Sequence, residues 1–134
     1  MKISIVWMAT GLSALWLSAA SQAETVVVVN PGAAVPSKDQ ITDVYLGKDQ
    51  SMAPLDLPES TAVRADFYKK ATGRDLAQVK ATWSRLMFSG KAQPPKEVAD
   101  AAAVKKAIAA DPKAIGYIDK SAVDSSVKVA LTLD

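Results

Sequence analysis

Residues 25–30 read Thr-Val-Val-Val-Val-Asn and stop at Pro31-Gly32. Five consecutive β-branched side chains are stiff at χ1, too short a run for a typical helix, and apolar on both faces of an extended chain. A strand buried on both faces belongs to a sheet covered on both sides, the signature of parallel α/β layers. The remainder of the chain must then supply the covering helices.

The downstream pattern does so. Ser37 is placed to cap a helix carrying Ile41, Val44 and Tyr45 on one face, with Gly47 as its stop. Met52 to Leu57 is a weaker strand, interrupted by Pro54. A helix opens after Pro58-Glu59-Ser60-Thr61, buries Val63 and Phe67, and ends at Thr72-Gly73. Asp75 caps the clearest helix, with Leu76, Val79, Trp83, Leu86 and Met87 on one stripe. That helix ends at Ser89-Gly90, and Gln93-Pro94-Pro95 starts an alanine-rich helix running to about Ala110. Ala114 to Ile118 and Val127 to Leu133 read as two more strands. This alternation predicts an α/β fold whose mostly parallel sheet is flanked by helices.

Residues 1–23 are expected to be an export signal. Lys2 precedes an apolar stretch from Ile3 to about Ala20, and Ser21-Gln22-Ala23 offers small residues at a cleavage site before Glu24. The rival reading is a membrane anchor, but Thr10, Gly11, Ser13 and Ser18 interrupt the stretch and the small-residue site fits removal better. Residues 24–134 then form one domain in the periplasm, which touches the membrane only through the uncleaved signal. The chain has no cysteine, so neither a lipid-modified cysteine nor a disulfide supports it.

Composition narrows the chemistry. Sixteen basic residues face fourteen acidic ones, and Lys2 lies in the leader, so the exported part is close to neutral. Such balance argues against nucleic acid or an anionic membrane as the main partner. Histidine and cysteine are both absent, which removes the commonest catalytic and metal-ligating groups. The fourteen acids are scattered along polar helix faces. Asp119 and Asp124 near the end of a predicted strand are best read as loop and cap residues. Trp83 reads as core, and Gly90-Lys91 as a helix C-terminus. The pattern therefore predicts no enzyme, no metal site and no cofactor.

One segment carries plausible binding chemistry. Pro58-Glu59-Ser60-Thr61-Ala62-Val63-Arg64 opens a helix with small hydroxyl residues, where unpaired backbone N–H groups meet the positive end of the helix dipole. The hydroxyls of Ser60 and Thr61, the N–H groups of Thr61 and Ala62, and Arg64 one turn inside are the candidate ligand-binding groups. Ser and Thr also cap many helices that bind nothing. A carboxylate at Glu59 opposes a divalent anion unless it turns outwards.

Several segments together resemble the periplasmic phosphate-binding proteins of phosphate ABC transporters. Gln40-Ile41-Thr42-Asp43-Val44-Tyr45-Leu46-Gly47-Lys48 is similar to that family's helix ending in Leu-Gly-Lys. Pro58 to Tyr68 occupies the place of its phosphate loop and following helix, and Phe88-Ser89-Gly90-Lys91 that of a Gly-Lys-Gly loop. Ala114-Ile115-Gly116-Tyr117-Ile118 matches its Ala-Ile-Gly-Tyr strand. The resemblance implies a single lobe of a type II periplasmic-binding-protein-like fold, and a phosphate or related oxyanion as ligand. The family's Ser-Gly-Thr triplet is Glu59-Ser60-Thr61 here, and the position of its preceding arginine falls near Leu55. Only Thr61 carries over cleanly; Ser60 does so as a hydroxyl shifted by one, and Arg64 is a substitute for the missing arginine.

Two readings stand at this point. In one, the domain binds phosphate for an ABC transport or sensing system, with a homodimer completing a site that one lobe leaves open. In the other, it keeps the binding-protein fold without the ligand and presents a surface to a transporter or sensor subunit.

Overall fold

The computed structural model describes residues 24–133; the expected export signal lies outside them. Strand β1 (Thr25–Val29) is buried along its whole length. Its neighbours are β4 (Ala114–Asp119) and β5 (Lys128–Leu133), both antiparallel to it, with Val27 level with Tyr117 on one side and Leu131 on the other. Beyond β4 lies β2 (Ala53–Asp56), parallel to it, and then β3 (Lys96–Glu97), parallel to β2. The sheet order is β3-β2-β4-β1-β5, so four strands run one way and β1 runs against them. The inference from the valine run to parallel pairing is thereby corrected. A central strand is buried on both faces whichever way its neighbours run, so its composition reports the covering layers and not its direction.

Among the described residues four α-helices flank the sheet. In α1 (Lys38–Tyr45) the Ser37 side chain accepts the Gln40 N–H, and Ile41, Val44 and Tyr45 are buried, as expected. Gly47 follows with φ of +79°, a left-handed turn that suits glycine. A Cβ there would also stand 2.5 Å from Leu86 Cδ1. The Leu-Gly-Lys segment is therefore where α1 meets α3 (Leu76–Phe88), whose Trp83 indole N–H donates to the Tyr45 carbonyl at 3.0 Å. Asp75 and Gln78 close a reciprocal capping box on α3. Val79 and Trp83 are buried and Leu76 and Leu86 pack partly, whereas Met87, expected on the same stripe, is half exposed.

The alanine-rich helix starts later than the sequence predicts. Residues 93–99 are not helical and contain β3, and α4 covers only Ala101–Ala110 behind an Asp100 cap. Pro94-Pro95 lacks two N–H donors and disfavours helix just before it, so the helix begins at the next residue able to cap it. On β4, Gly116 and Tyr117 point to opposite faces. A Cβ on Gly116 would stand 2.5 Å from Val104 Cγ1 of α4. The Tyr117 ring stacks on Phe67 of α2 (Ala62–Thr72), centroids 4.1 Å apart and planes within 6°. The Ala-Ile-Gly-Tyr segment thus joins both layers to the sheet: its glycine admits α4 and its tyrosine engages α2.

Candidate functional site

The site forms where β2 ends and α2 begins. Pro58 to Thr61 makes the turn: the Thr61 N–H and hydroxyl both donate to the Pro58 carbonyl, at 3.0 and 2.7 Å. Thr61 is the N-cap of α2, but no side-chain hydrogen bond caps the helix. Ser60 and Ala62 are exposed at this mouth. Of the predicted anion donors, the two of Thr61 are thus committed within the turn. The Ser60 hydroxyl and the first-turn N–H of Ala62 stand at the surface, with the N–H of Val63 in the same turn.

Arg64 faces the loop rather than solvent. Its Nη1 donates to the Leu57 carbonyl at 2.8 Å. Nη2 lies 3.7 Å from Asp56 Oδ2 and 3.9 Å from Glu59 Oε1, ion-pair distances beyond hydrogen-bond reach. The guanidinium sits 5.9 Å from the centre of the Tyr68 ring, and its Nε is buried with no hydrogen-bond partner among the described residues. Glu59 is largely exposed yet close enough to counter the arginine, so its charge does not turn wholly away from the mouth.

Asp56 is the residue that sequence reasoning missed. It ends β2 at 4% exposure, accepting hydrogen bonds from the hydroxyls of Tyr68, at 2.7 Å, and of Tyr117. Tyr68 is one helical turn after Arg64, so both project from the same side of α2. Tyr117 comes from β4, the strand beside β2. The Tyr117 oxygen in turn accepts the Leu57 N–H at 3.1 Å. Burial pushes the Asp56 carboxyl above its ordinary range, against the opposing pull of Tyr117, Tyr68 and Arg64. Burial, with the Asp56 charge added, raises both phenols as well, so near neutrality they stay protonated and donate. The available sequence signal was an acid set between Leu55 and Leu57 in an otherwise apolar strand.

Asp119 holds its own turn, and Asp124 ties its loop to α4. The Asp119 carboxylate accepts the Ser121 N–H and hydroxyl, and Asp124 accepts from Lys105 and Ser126. Beside the Arg64 mouth lies a cleft of about 270 Å³, walled by Asp56, Glu59, Val79, Trp83, Pro94 and Glu97. Among the described residues no cluster of acids is placed to hold a metal ion.

Two solved structures share this arrangement of strands and helices. One is an ABC-type phosphate transport receptor from Vibrio cholerae, at 22% identity and a TM-score of 0.61, covering 79% of this chain and 44% of that one. The other, from Clostridium perfringens, was solved with phosphate bound and is assigned as a phosphate ABC transporter substrate-binding protein. It matches at 18% identity and a TM-score of 0.63, over 79% of this chain and 43% of that one. The fold is phosphate-binding-protein-like. The chain spans less than half the length of these two structures. No protein-family model matches it, and no curated protein does. Within the phosphate-binding-protein-like fold, the candidate site lies where a strand hands over to a helix at the carboxyl end of the parallel set β3-β2-β4, the general position for ligands in α/β sheets.

Proposed function

We propose that the chain is an exported, non-enzymatic binding protein that takes phosphate or a related oxyanion at the mouth of α2, for a periplasmic transport or sensing system. One observation carries this: among the described residues α2 begins without a side-chain cap, beside an inward-turned arginine whose Nε has no partner. The donors are the Ser60 hydroxyl, the N–H groups of Ala62 and Val63, and Arg64. Nη2 meets Asp56 and Glu59 at ion-pair distance only, so an incoming oxyanion can take up its N–H groups without breaking a hydrogen bond. The mouth is open to water on the Ser60 side, which keeps charge-assisted contacts weak unless a second copy covers it.

Calorimetric titration of phosphate in phosphate-free buffer, with sulfate as the control, tests this reading. Saturable heat that falls with Arg64→Ala and survives Arg85→Ala supports it. No heat up to millimolar phosphate, or equal effects of the two substitutions, overturns it. The second reading, an interaction module without a small ligand, is favoured by the carboxylates of Asp56 and Glu59, which already neutralise Arg64. It expects no phosphate heat and lower stability in Arg64→Ala.

A further inference from the structure

The C-terminal end of α3 carries an apolar crest that the described residues leave uncovered. Phe88 is 97% exposed and Met87 48% exposed. A groove of about 780 Å³ adjoins the crest, with Met52, Pro54, Trp83 and Met87 among its apolar walls and Lys91 and Lys96 on its lining. A smaller hollow of about 340 Å³ at the same end of α3 is walled by Arg85, Leu86 and again Lys91. Arg85, Lys91 and Lys96 are exposed and enter none of the ion pairs among the described residues. The groove's one lining carboxylate, Asp49, accepts the Ser51 N–H at 2.8 Å. An exposed aromatic beside a concave groove of mixed apolar and polar lining, with Lys91 and Lys96 along it, has the anatomy of a protein interface: apolar anchors with charge around them.

We propose that this crest and groove dock a segment of another protein in which an apolar or aromatic side chain is flanked by carboxylates. The apolar residue fills the groove against Trp83 and Met52, Phe88 packs on its flank, and the carboxylates meet Lys91, Lys96 and Arg85. A second copy of this chain is disfavoured, because a symmetric contact brings the basic residues of one copy against those of the other. A bilayer is disfavoured because a flat surface reaches the Phe88 crest and leaves the groove empty. The proposal does not depend on anion binding at α2, since none of its residues is among the oxyanion donors.

Selection of short random peptides on the protein, with Phe88→Ser and Lys91→Glu variants as counter-targets, tests it. The expected binders combine Leu, Phe or Trp with neighbouring Asp or Glu and lose about tenfold in affinity on either variant, a loss of about 1.4 kcal/mol. Changing only the binder acid that faces position 91 to lysine restores its affinity for Lys91→Glu. Both positions are exposed, so the variants keep the wild-type circular dichroism, and phosphate titration of Phe88→Ser matches wild type whatever the outcome at α2. The proposal is overturned by binders that lack acids, by binders indifferent to both substitutions, or by no enrichment. Phe88-dependent self-association, or Phe88-dependent sedimentation with phosphatidylglycerol vesicles in place of peptide binding, also overturns it.

Discussion

Arg64 Nη2 and Asp56 Oδ2 stand 3.7 Å apart at the junction of β2 and α2, close enough to attract and too far to share a hydrogen bond. The carboxylate takes its hydrogen bonds from Tyr68 and Tyr117, and the guanidinium gives one to the Leu57 carbonyl. Each charge is therefore placed by neutral partners, and the two influence each other chiefly through the field between them. This leaves the arginine a cation that can be drawn towards a ligand while the carboxylate stays where it is.

Asp56→Asn tests the buried charge. A proton binds Asp56 more tightly in the folded than in the unfolded protein, so its contribution to stability is greatest at low pH and is lost as pH rises through the raised folded value. The variant has no such titration. Urea unfolding at a series of pH values is expected to show wild type gaining on Asp56→Asn as pH falls from neutrality towards about 4, the ordinary carboxylate value. Wild type losing ground to Asp56→Asn on acidification would contradict the raised pKa.

Tyr117→Phe removes a group that donates to Asp56 and accepts from the Leu57 N–H. Two buried polar groups lose a partner at once, and leaving even one unsatisfied costs about 1–3 kcal/mol. Tyr45→Phe removes only a hydroxyl shared between the Leu55 and Ile115 carbonyls. Denaturant midpoints are expected to fall further for Tyr117→Phe; equal losses would mean that the Asp56 network adds nothing beyond an ordinary buried hydroxyl.

Gly116→Ala is expected to destabilise by about 1–3 kcal/mol, the usual cost of forcing an extra carbon into a packed core. Its Cβ would meet Val104 Cγ1 at 2.5 Å. Adding Val104→Ala opens that space, so the double variant should be more stable than the sum of the two single losses implies. Additive losses in thermal unfolding would place the strain elsewhere.

Most elements are legible because their signals are local. Ser37 and Asp75 each cap the helix that follows them, and the Leu-Gly-Lys and Ala-Ile-Gly-Tyr segments lie where close packing requires glycine. The direction of β1 is not legible, because it depends on partners some ninety residues or more away. The stretch before Asp100 misleads because the alanines that follow favour helix, whereas Pro94-Pro95 keeps the chain out of it. At the site, Ser60, Thr61, Ala62 and Arg64 do gather at one helix mouth. Asp56 escaped notice because its importance comes from Tyr68 and Tyr117, which only the packing of α2 and β4 brings to it.

The first strand of this sheet is enclosed by the last two. As the chain is made from its N-terminus, β1 has neither neighbour until residues 114–133 exist, so five β-branched residues wait with both edges open. Contacts of such long sequence separation close slowly, which leaves the nascent protein a window in which a chaperone can hold it. Loss of β5 alone would reopen one side of β1 and turn the best-protected strand of the protein into a template for aggregation.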